Sequence, residues 1–324
     1  MKAVRCVELG GPDKLEVAEV SVPEPGDGEV RLKVAGCGVN FADSLIIQGK
    51  YQHKPDLPFT PGMEVAGTIT AVGAGVAAVE VGQTVIGMTG TGGFAEEVVC
   101  PARDVMACPD GLDPVVAASL PVAYGTAHLG LDHRAHLRPG ETLLVHGASG
   151  GVGLAAVEVG KAMGATVIAT ASSADKLALA GEHGADHLIN YTDGPFKDEV
   201  KALTDRRGAD VIFDPVGGDV FDQSLRCIAW EGRILVVGFA SGRIPEAPAN
   251  LTLVKNMAIM GVFWGAYRDK DPAVMTASFA QLSDWLVAGK LKPLVSKTYG
   301  LDDTAQAITD LMERRAKGKI VVTP

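Results

Sequence analysis

Three short stretches carry residues whose types and spacing can do chemistry. The first is Leu143–Gly153, LLVHGASGGVG. An apolar run too short for a helix ends in a glycine cluster, and a helix-compatible segment follows. That is the pattern of a buried parallel strand, a tight turn and a helix. Ala148, Gly150 and Gly153 occupy the three positions of a G-x-G-x-x-G fingerprint, with alanine in the first. Gly150 lets the backbone approach phosphates, and Gly153 lets the helix pack close to the strand. The helix that follows turns free N–H groups and its positive dipole end towards an anion. Between a strand and a helix of a βαβ unit, such a turn reads as a dinucleotide pyrophosphate site.

The second stretch ends the next strand, ATVIATASSADK. In an NAD-type site an Asp or Glu stands there, about 20 residues after the glycines, and grips the adenine ribose 2′-hydroxyl. Here Thr170 and Ala171 are followed by Ser172 and Ser173, with Lys176 one turn into the next helix. Either serine can cap that helix, whose N-terminus makes a second anion site. A charge-assisted hydrogen bond from Lys176 to a phosphate is worth about 1.5–3 kcal/mol. The set favours the phosphorylated dinucleotide, NADPH. The plainer alternative is an ordinary Ser-capped helix with a solvated lysine.

The third stretch is GVNFAD at 38–43, together with PGME at 61–64. Asn40 precedes the helical pattern FADSLIIQG and suits a cap. Asp43 and Glu64 read as structural carboxylates. Tyr51, beside the loop Gln52–Pro58, either lines a substrate entrance or packs as a loop aromatic. Cys37 has no neighbouring His or Lys in sequence to activate it. His183 and His187 stand four apart, but Gly184 breaks that helix, so they read as surface histidines, as do His133 and His136. No Ser/His/Asp triad or paired carboxylate is evident.

Elements that position these residues follow from the periodicity. Residues 1–122 read as a β-rich unit: GEVRLKVAG, VAGTITAVG and FAEEVVCP alternate apolar and polar residues over strand lengths. Residues 123–265 switch to strands alternating with helices. The six strands TLLVHGA, ATVIATA, HLINY, ADVIFDPVG, RILVVGF and MAIMGVFW imply an α/β doubly wound parallel sheet. Between them, FKDEVKALTDRRG and DVFDQSLRCIAWEG read as amphipathic helices. Residues 266–324 read as two helices and a final strand, GKIVVT, which returns to pair with the β-rich unit.

Composition narrows the function classes. The chain has 324 residues, 40 of them glycine, and a formal net charge of −10. The acidic balance argues against nucleic acid, which requires a basic face. The longest uncharged run, Pro114–Leu131, contains Pro121, Gly125, His128 and Gly130 and reads as buried structure rather than a membrane span. Met1-Lys2 leads straight into strand-like AVRCVEL, with no targeting pattern. Five scattered cysteines without a C-x-x-C pair suit reduced thiols in a cytoplasm.

In combination and in this order, GVNFAD, PGMEVAGTI, VAYGTAHLGL, GASGGVGLAAVEVGKAMGA, GADHLINY, DPVGGDVFDQSL and GKIVV resemble the zinc-independent, quinone-oxidoreductase branch of the medium-chain dehydrogenase/reductase superfamily. The resemblance covers essentially the whole chain. It implies a GroES-like catalytic domain, a Rossmann domain and a return to the first. It places Asn40, Thr126, Ser149, Gly150, Gly151, Val152, Ser172, Ser173, Lys176, Tyr191, Phe239, Ala240, Ser241, Phe263 and Trp264 at the cofactor, and Tyr51 and Leu45 at the substrate. In zinc-binding relatives the Cys, His and third ligand positions match Asn40, Met63 and Val122 here, none of them a strong zinc ligand. No metal is therefore expected. Family members often carry Tyr and Arg where Leu45 and Ile47 stand, which suggests a more apolar pocket.

Without a Lewis acid the favoured hydride acceptor needs little polarisation. The expectation is an NADPH-dependent reductase of a small-molecule quinone, with Asn40 as the catalytic candidate. The alternatives are a reductase of conjugated alkenes (enals, enones or enoyl thioesters) and an NADPH-binding protein without turnover. MAIMGVFW, apolar on both faces at a sheet edge, points to a homodimer through that edge.

Overall fold

In the computed structural model, which describes residues 1–324, the chain divides into two compact units. One holds Met1–Val122 and Pro293–Pro324, the other Ala123–Lys292. In chain order the first unit contributes β1 (Lys2–Cys6), β2 (Leu15–Glu19), β3 (Glu29–Gly38), α1 (Phe41–Ile47), β4 (Glu64–Val72), β5 (Thr84–Met88), β6 (Glu97–Pro101), β7 (Val105–Ala107) and α2 (Pro114–Ala117). Next come α3 (Leu120–His128), β8 (Thr142–Val145), α4 (Gly151–Ala162), β9 (Thr166–Ala171), α5 (Ala174–Glu182), β10 (His187–Asn190), α6 (Phe196–Leu203) and β11 (Ala209–Asp214). Then follow α7 (Gly218–Cys227), β12 (Ile228–Val236), α8 (Ala249–Lys255), β13 (Ala258–Gly261), α9 (Tyr267–Lys270) and α10 (Pro272–Val287). The chain ends with β14 (Val295–Gly300), α11 (Thr304–Met312) and β15 (Lys319–Thr323).

The first unit is built on a largely antiparallel sheet of seven strands, ordered β14-β15-β3-β4-β5-β7 with β6 also on β3. Alternation in β3 turns Val30, Leu32 and Val34 into a core shared with Val65, Ile69, Val85, Phe94, Ile308 and Val322. The last strand pairs with β3 in the register Val321↔Gly38 and Val322↔Cys37. The returning strand expected from the sequence thus lies beside the GVN segment.

The second unit is a six-stranded parallel sheet ordered β10-β9-β8-β11-β12-β13. Its central strand β8 is buried along its whole length, as expected where helices cover both faces. Helix α4 is apolar nearly all round. A Cβ on its Gly160 would meet Leu143 Cδ2 at 2.4 Å, so that glycine sets the close approach of helix to strand.

Several boundaries differ from the sequence reading. The return begins at Pro293, not 266, because α10 packs within the second unit: Ser278 Oγ lies 2.8 Å from His128 Nδ1 and Phe279 meets Trp264 edge to face. The long helical pattern from Ala266 is split at Asp271-Pro272, where Asp271 caps α10. The helix expected through IAWEG stops at Cys227, and Ile228 already belongs to β12. His183 is also not a plain surface histidine. Its Nδ1 engages Glu158 in a very short contact, and that buried carboxylate also accepts from Tyr124 Oη at 2.8 Å and Lys292 N at 3.0 Å.

Candidate active site

The strand order of the second unit reverses between β8 and β11, and ligands of such sheets bind beyond the carboxyl ends of strands at that switch point. The glycine turn stands there. Gly147 has φ +57°, a conformation that favours glycine. A Cβ on Gly153 would fall 2.2 Å from Gly147 O, so Gly153 lets the helix close onto the turn itself. A Cβ on Gly150 would meet only Gly147 O at 3.5 Å, an ordinary contact. Nothing within the fold demands glycine at 150, and the open space there is what an approaching pyrophosphate needs. Gly150 is the N-cap of α4, and the first helical bond runs from Leu154 N to Gly150 O at 2.8 Å. The N–H groups of Gly151 and Val152 precede that ladder and suit an anion. Ser149 is buried beside them. These residues fit a dinucleotide.

At the end of β9, Ser173 takes the N-cap position of α5, but its hydroxyl donates to Asp175 in a very short contact rather than capping the backbone. The expected side-chain cap is therefore not formed: the hydroxyl is turned to the Asp175 carboxylate, and its oxygen accepts from no backbone N–H of the first turn. Lys176 Nζ lies 3.4 Å from Ser172 Oγ, so this pair does assemble. Tyr191, half-buried, packs against the core of this unit and its N–H bonds Ala171 O at 3.2 Å.

The remaining cofactor candidates of the second unit follow other strand ends. Asp214, buried at the end of β11, accepts from Val216 N at 2.8 Å and Gly217 N at 2.9 Å. The turn it shapes holds the Phe239–Ser241 loop, through Ala240 N to Pro215 O at 3.1 Å and Ser241 N to Val216 O at 2.9 Å. Trp264 lies against Gly125, where a Cβ would be 2.6 Å from Nε1, beside the buried Thr126. Its Nε1 has no hydrogen-bond acceptor. Phe263 is about half exposed.

His146 stands within Leu143–Gly153 but at none of the three fingerprint positions, and so was missed. It is fully buried between the ends of β8 and β9 and helix α7, with Nδ1 2.9 Å from Thr170 Oγ1 and Nε2 2.8 Å from Ser224 Oγ. Ser224 donates its own hydrogen to Val220 O, so Nε2 carries the imidazole proton and Nδ1 accepts from Thr170. Burial pushes its pKa down to about 3. The signal was a lone polar residue inside an apolar strand run, the mark of a satisfied core histidine.

In the first unit, Asn40 opens α1 and is buried. Asp43 accepts from the Asn40 backbone N–H at 2.8 Å and from Gly62 N at 3.3 Å. The Asn40 side chain turns to Glu64 and Lys319. Its Nδ2 donates to Glu64 Oε1 at 2.8 Å and to Gly38 O at 3.2 Å, and its Oδ1 accepts from Lys319 Nζ at 2.7 Å. The ammonium also donates to Glu64 Oε1 at 2.8 Å and Val39 O at 3.0 Å. Glu64 Oε2 accepts from Val122 N at 2.7 Å. Gly38 has to be glycine, since a Cβ there would stand 2.3 Å from Glu64 Oε1. Lys319 was missed because nothing local in GKIVV marks it; its meeting with Asn40 spans 279 positions.

Burial raises the Asp43 pKa to about 7, against the opposing pull of the Asn40 N–H and the Lys319 charge. Burial, with Asp43 and Glu64 nearby, likewise raises the Cys37 thiol well above its usual range, which makes it unreactive. Tyr51 packs on the core of this unit. Ile47 is buried in the core of this unit, whereas Leu45 is half-buried.

Comparison with known proteins places this architecture. The alcohol dehydrogenase GroES-like domain family matches residues 26–110, and the zinc-binding dehydrogenase family matches residues 151–286. A quinone oxidoreductase-like protein 2 homolog of Nematostella vectensis is 45% identical over 324 residues, covering 99% of this chain and 88% of that protein. The chain belongs to the quinone oxidoreductase-like branch of the medium-chain dehydrogenase/reductase superfamily. Among solved structures, an Escherichia coli quinone oxidoreductase complexed with NADPH superposes with TM-score 0.93 at 27% identity, over 100% of both chains. The CurK enoyl reductase superposes with TM-score 0.90 at 28% identity, over 99% of this chain and 98% of that one.

The family description raises zinc, and the residues present do not fit it. No cluster of three or more His, Cys, Asp or Glu side chains forms a metal site. The carboxylate nearest the matched positions, Glu64, is already engaged by Asn40, Lys319 and Val122.

Proposed function

We propose that this oxidoreductase works without metal and uses NADPH to reduce a quinone. The observation that carries the reading is the saturated Glu64 cluster. It leaves no ligand set for a Lewis acid, so acceptors that need little polarisation are favoured. The solved Escherichia coli relative with NADPH supports the cofactor, as do the glycine turn and the absence of an acid directly after β9. Bound NADPH supplies a hydride from its nicotinamide ring. Gly150, Gly151 and Val152 hold the pyrophosphate, Ser172 and Lys176 the 2′-phosphate, with Tyr191 beside it. Ser149, Thr126, Phe239–Ser241, Phe263 and Trp264 are assigned to the rest of the cofactor. Both Asn40 Nδ2 hydrogens are engaged, so Asn40 is assigned to orient the cofactor as an acceptor, through the second lone pair of Oδ1, rather than to donate to an acceptor oxyanion.

A conjugated alkene is the second reading, favoured by the apolar Leu45 and by the likeness to an enoyl reductase. Edge strand β13, paired only with β12, suits a homodimer formed by joining two copies of that edge. Five cysteines outside any disulfide, four of them buried, suit a reducing cytoplasm, and no helix is long and apolar enough to cross a membrane. The test is NADPH consumption with a panel of quinones beside a panel of enones, with zinc measured on the same preparation. Faster turnover of quinones at less than about 0.1 zinc per chain is expected. Preference for enones selects the second reading. Tight NADPH binding with no turnover indicates a non-catalytic protein, and activity that vanishes with chelated zinc refutes the metal-free mechanism.

A further inference from the structure

The positions that match metal ligands in zinc-binding relatives here gather round a carboxylate and a tethered cation. Asn40 by its side chain and Val122 by its backbone donate to Glu64, and Met63 is its chain neighbour. The positive charge in this cluster belongs to Lys319. We propose that Lys319 is the positioning residue of this site: its buried ammonium holds the Asn40 carboxamide by its oxygen while balancing Glu64.

Geometry carries this inference. An ammonium has three donors, and Lys319 has three acceptors within 3.0 Å: Val39 O, Asn40 Oδ1 and Glu64 Oε1. Nζ only donates, and it meets the Asn40 amide at its oxygen, in agreement with the two acceptors at the other end. Nδ2 turns to Glu64 and Gly38, so both carboxamide hydrogens are committed, and Oδ1 keeps one lone pair beside the Lys319 bond. Strand pairing sets where the ammonium can go. Val39 N bonds Ile320 O at 2.9 Å, and β15 continues along β3, which brings Lys319 to the start of α1. Lys319 and Glu64 are almost wholly buried. A buried ion pair of this kind is often no more stabilising than apolar residues of similar volume. What apolar residues would not supply is a donor to the amide oxygen. Without Lys319, Asn40 Oδ1 loses its buried donor, and Glu64 keeps an unbalanced charge.

The inference rests on the reading of Asn40 as a cofactor-orienting residue, and the experiment separates the two. The chain has four asparagines, and Asn40 is the buried one. Labelling the asparagine side-chain amides with 15N therefore gives a small set of signals, with Asn40→Ser identifying the relevant pair. In the wild type that pair should exchange with solvent far more slowly than the other three. In Lys319→Met/Glu64→Gln, which keeps the cluster neutral, the protection should fall by about tenfold or more. Cofactor affinity is read on the same proteins by NADPH fluorescence, and turnover with 1,4-naphthoquinone. The double variant should raise the NADPH Kd and KM by about tenfold while kcat falls less. Lys319→Met alone should do the same with a lower melting temperature. Unprotected Asn40 hydrogens in the wild type overturn the inference whether or not any variant folds. So does a folded double variant with wild-type Kd, which leaves Lys319 a structural ion pair. Wild-type protection without NADPH binding instead removes the cofactor reading and leaves the lock standing.

Discussion

The two units bury polar groups at comparable depth and satisfy them in opposite ways. In the first unit Lys319, Glu64 and Asn40 form a charged knot in which each acceptor is approached by a donor from another segment. In the second, His146, Thr170 and Ser224 form a neutral chain, one imidazole bridging two hydroxyls. The difference shows in what each arrangement can tolerate. A neutral chain that loses a member leaves unpaired hydroxyls. A charged one leaves an uncompensated ion, a larger cost in a low-dielectric interior.

The largest effect should come from breaking the charged knot on one side. Glu64→Leu strands the Lys319 ammonium and should cost about 3–5 kcal/mol, a fall in melting temperature of roughly 10 °C. A loss no greater than that of a surface mutation would mean that water reaches the cluster. His146→Ala should cost somewhat less, about 2–4 kcal/mol from the cavity and the two unpaired hydroxyls. Denaturant melts of the two variants side by side check the order, and a reversed order breaks the comparison.

Lys176→Ala tests the cofactor end of the second unit. It should weaken NADPH by about ten- to a hundredfold, the worth of one charge-assisted bond, and leave NADH almost unchanged. Equal losses for both would remove the 2′-phosphate assignment.

The smallest effects are in pH dependence, where the two regions should slope in opposite senses. His146 in the fold takes a proton only near pH 3, whereas the unfolded chain takes one near 6.5. Its contribution is present above that range and is lost as pH falls from 6.5 towards 3. Asp43 keeps its proton up to about pH 7 in the fold, but the unfolded chain gives it up near 3.8. It therefore disfavours the fold progressively as pH rises from 3.8 to 7. Calorimetric melting at pH 5.5 and 7.5 should show Asp43→Asn gaining relative stability at the higher pH. His146→Gln should lose less than the wild type between pH 6 and 4. Parallel curves for all three proteins would mean that neither group is titrating as its burial requires.

The dinucleotide turn was legible in the sequence because everything that makes it is contiguous. Strand, glycines and helix lie within Leu143–Gly153 and the helix after it, so local preferences specify them. The same holds for the absence of an acid right after Thr170 and for the asparagine opening α1. The edges of elements were less legible. Ile228 follows a helical pattern, yet pairing with β11 pulls it into a strand, and Ser173 stands at the cap position with its hydroxyl turned to Asp175 and not bonded to the backbone. What only the tertiary structure decided is the chemistry around Asn40. Its amide oxygen is held by a lysine 279 positions away, delivered by the register of the last strand against β3. A lysine before an apolar strand looks like a solvated end in any local window. It becomes a buried cation only when chain closure places it over a carboxylate that has given up water for it.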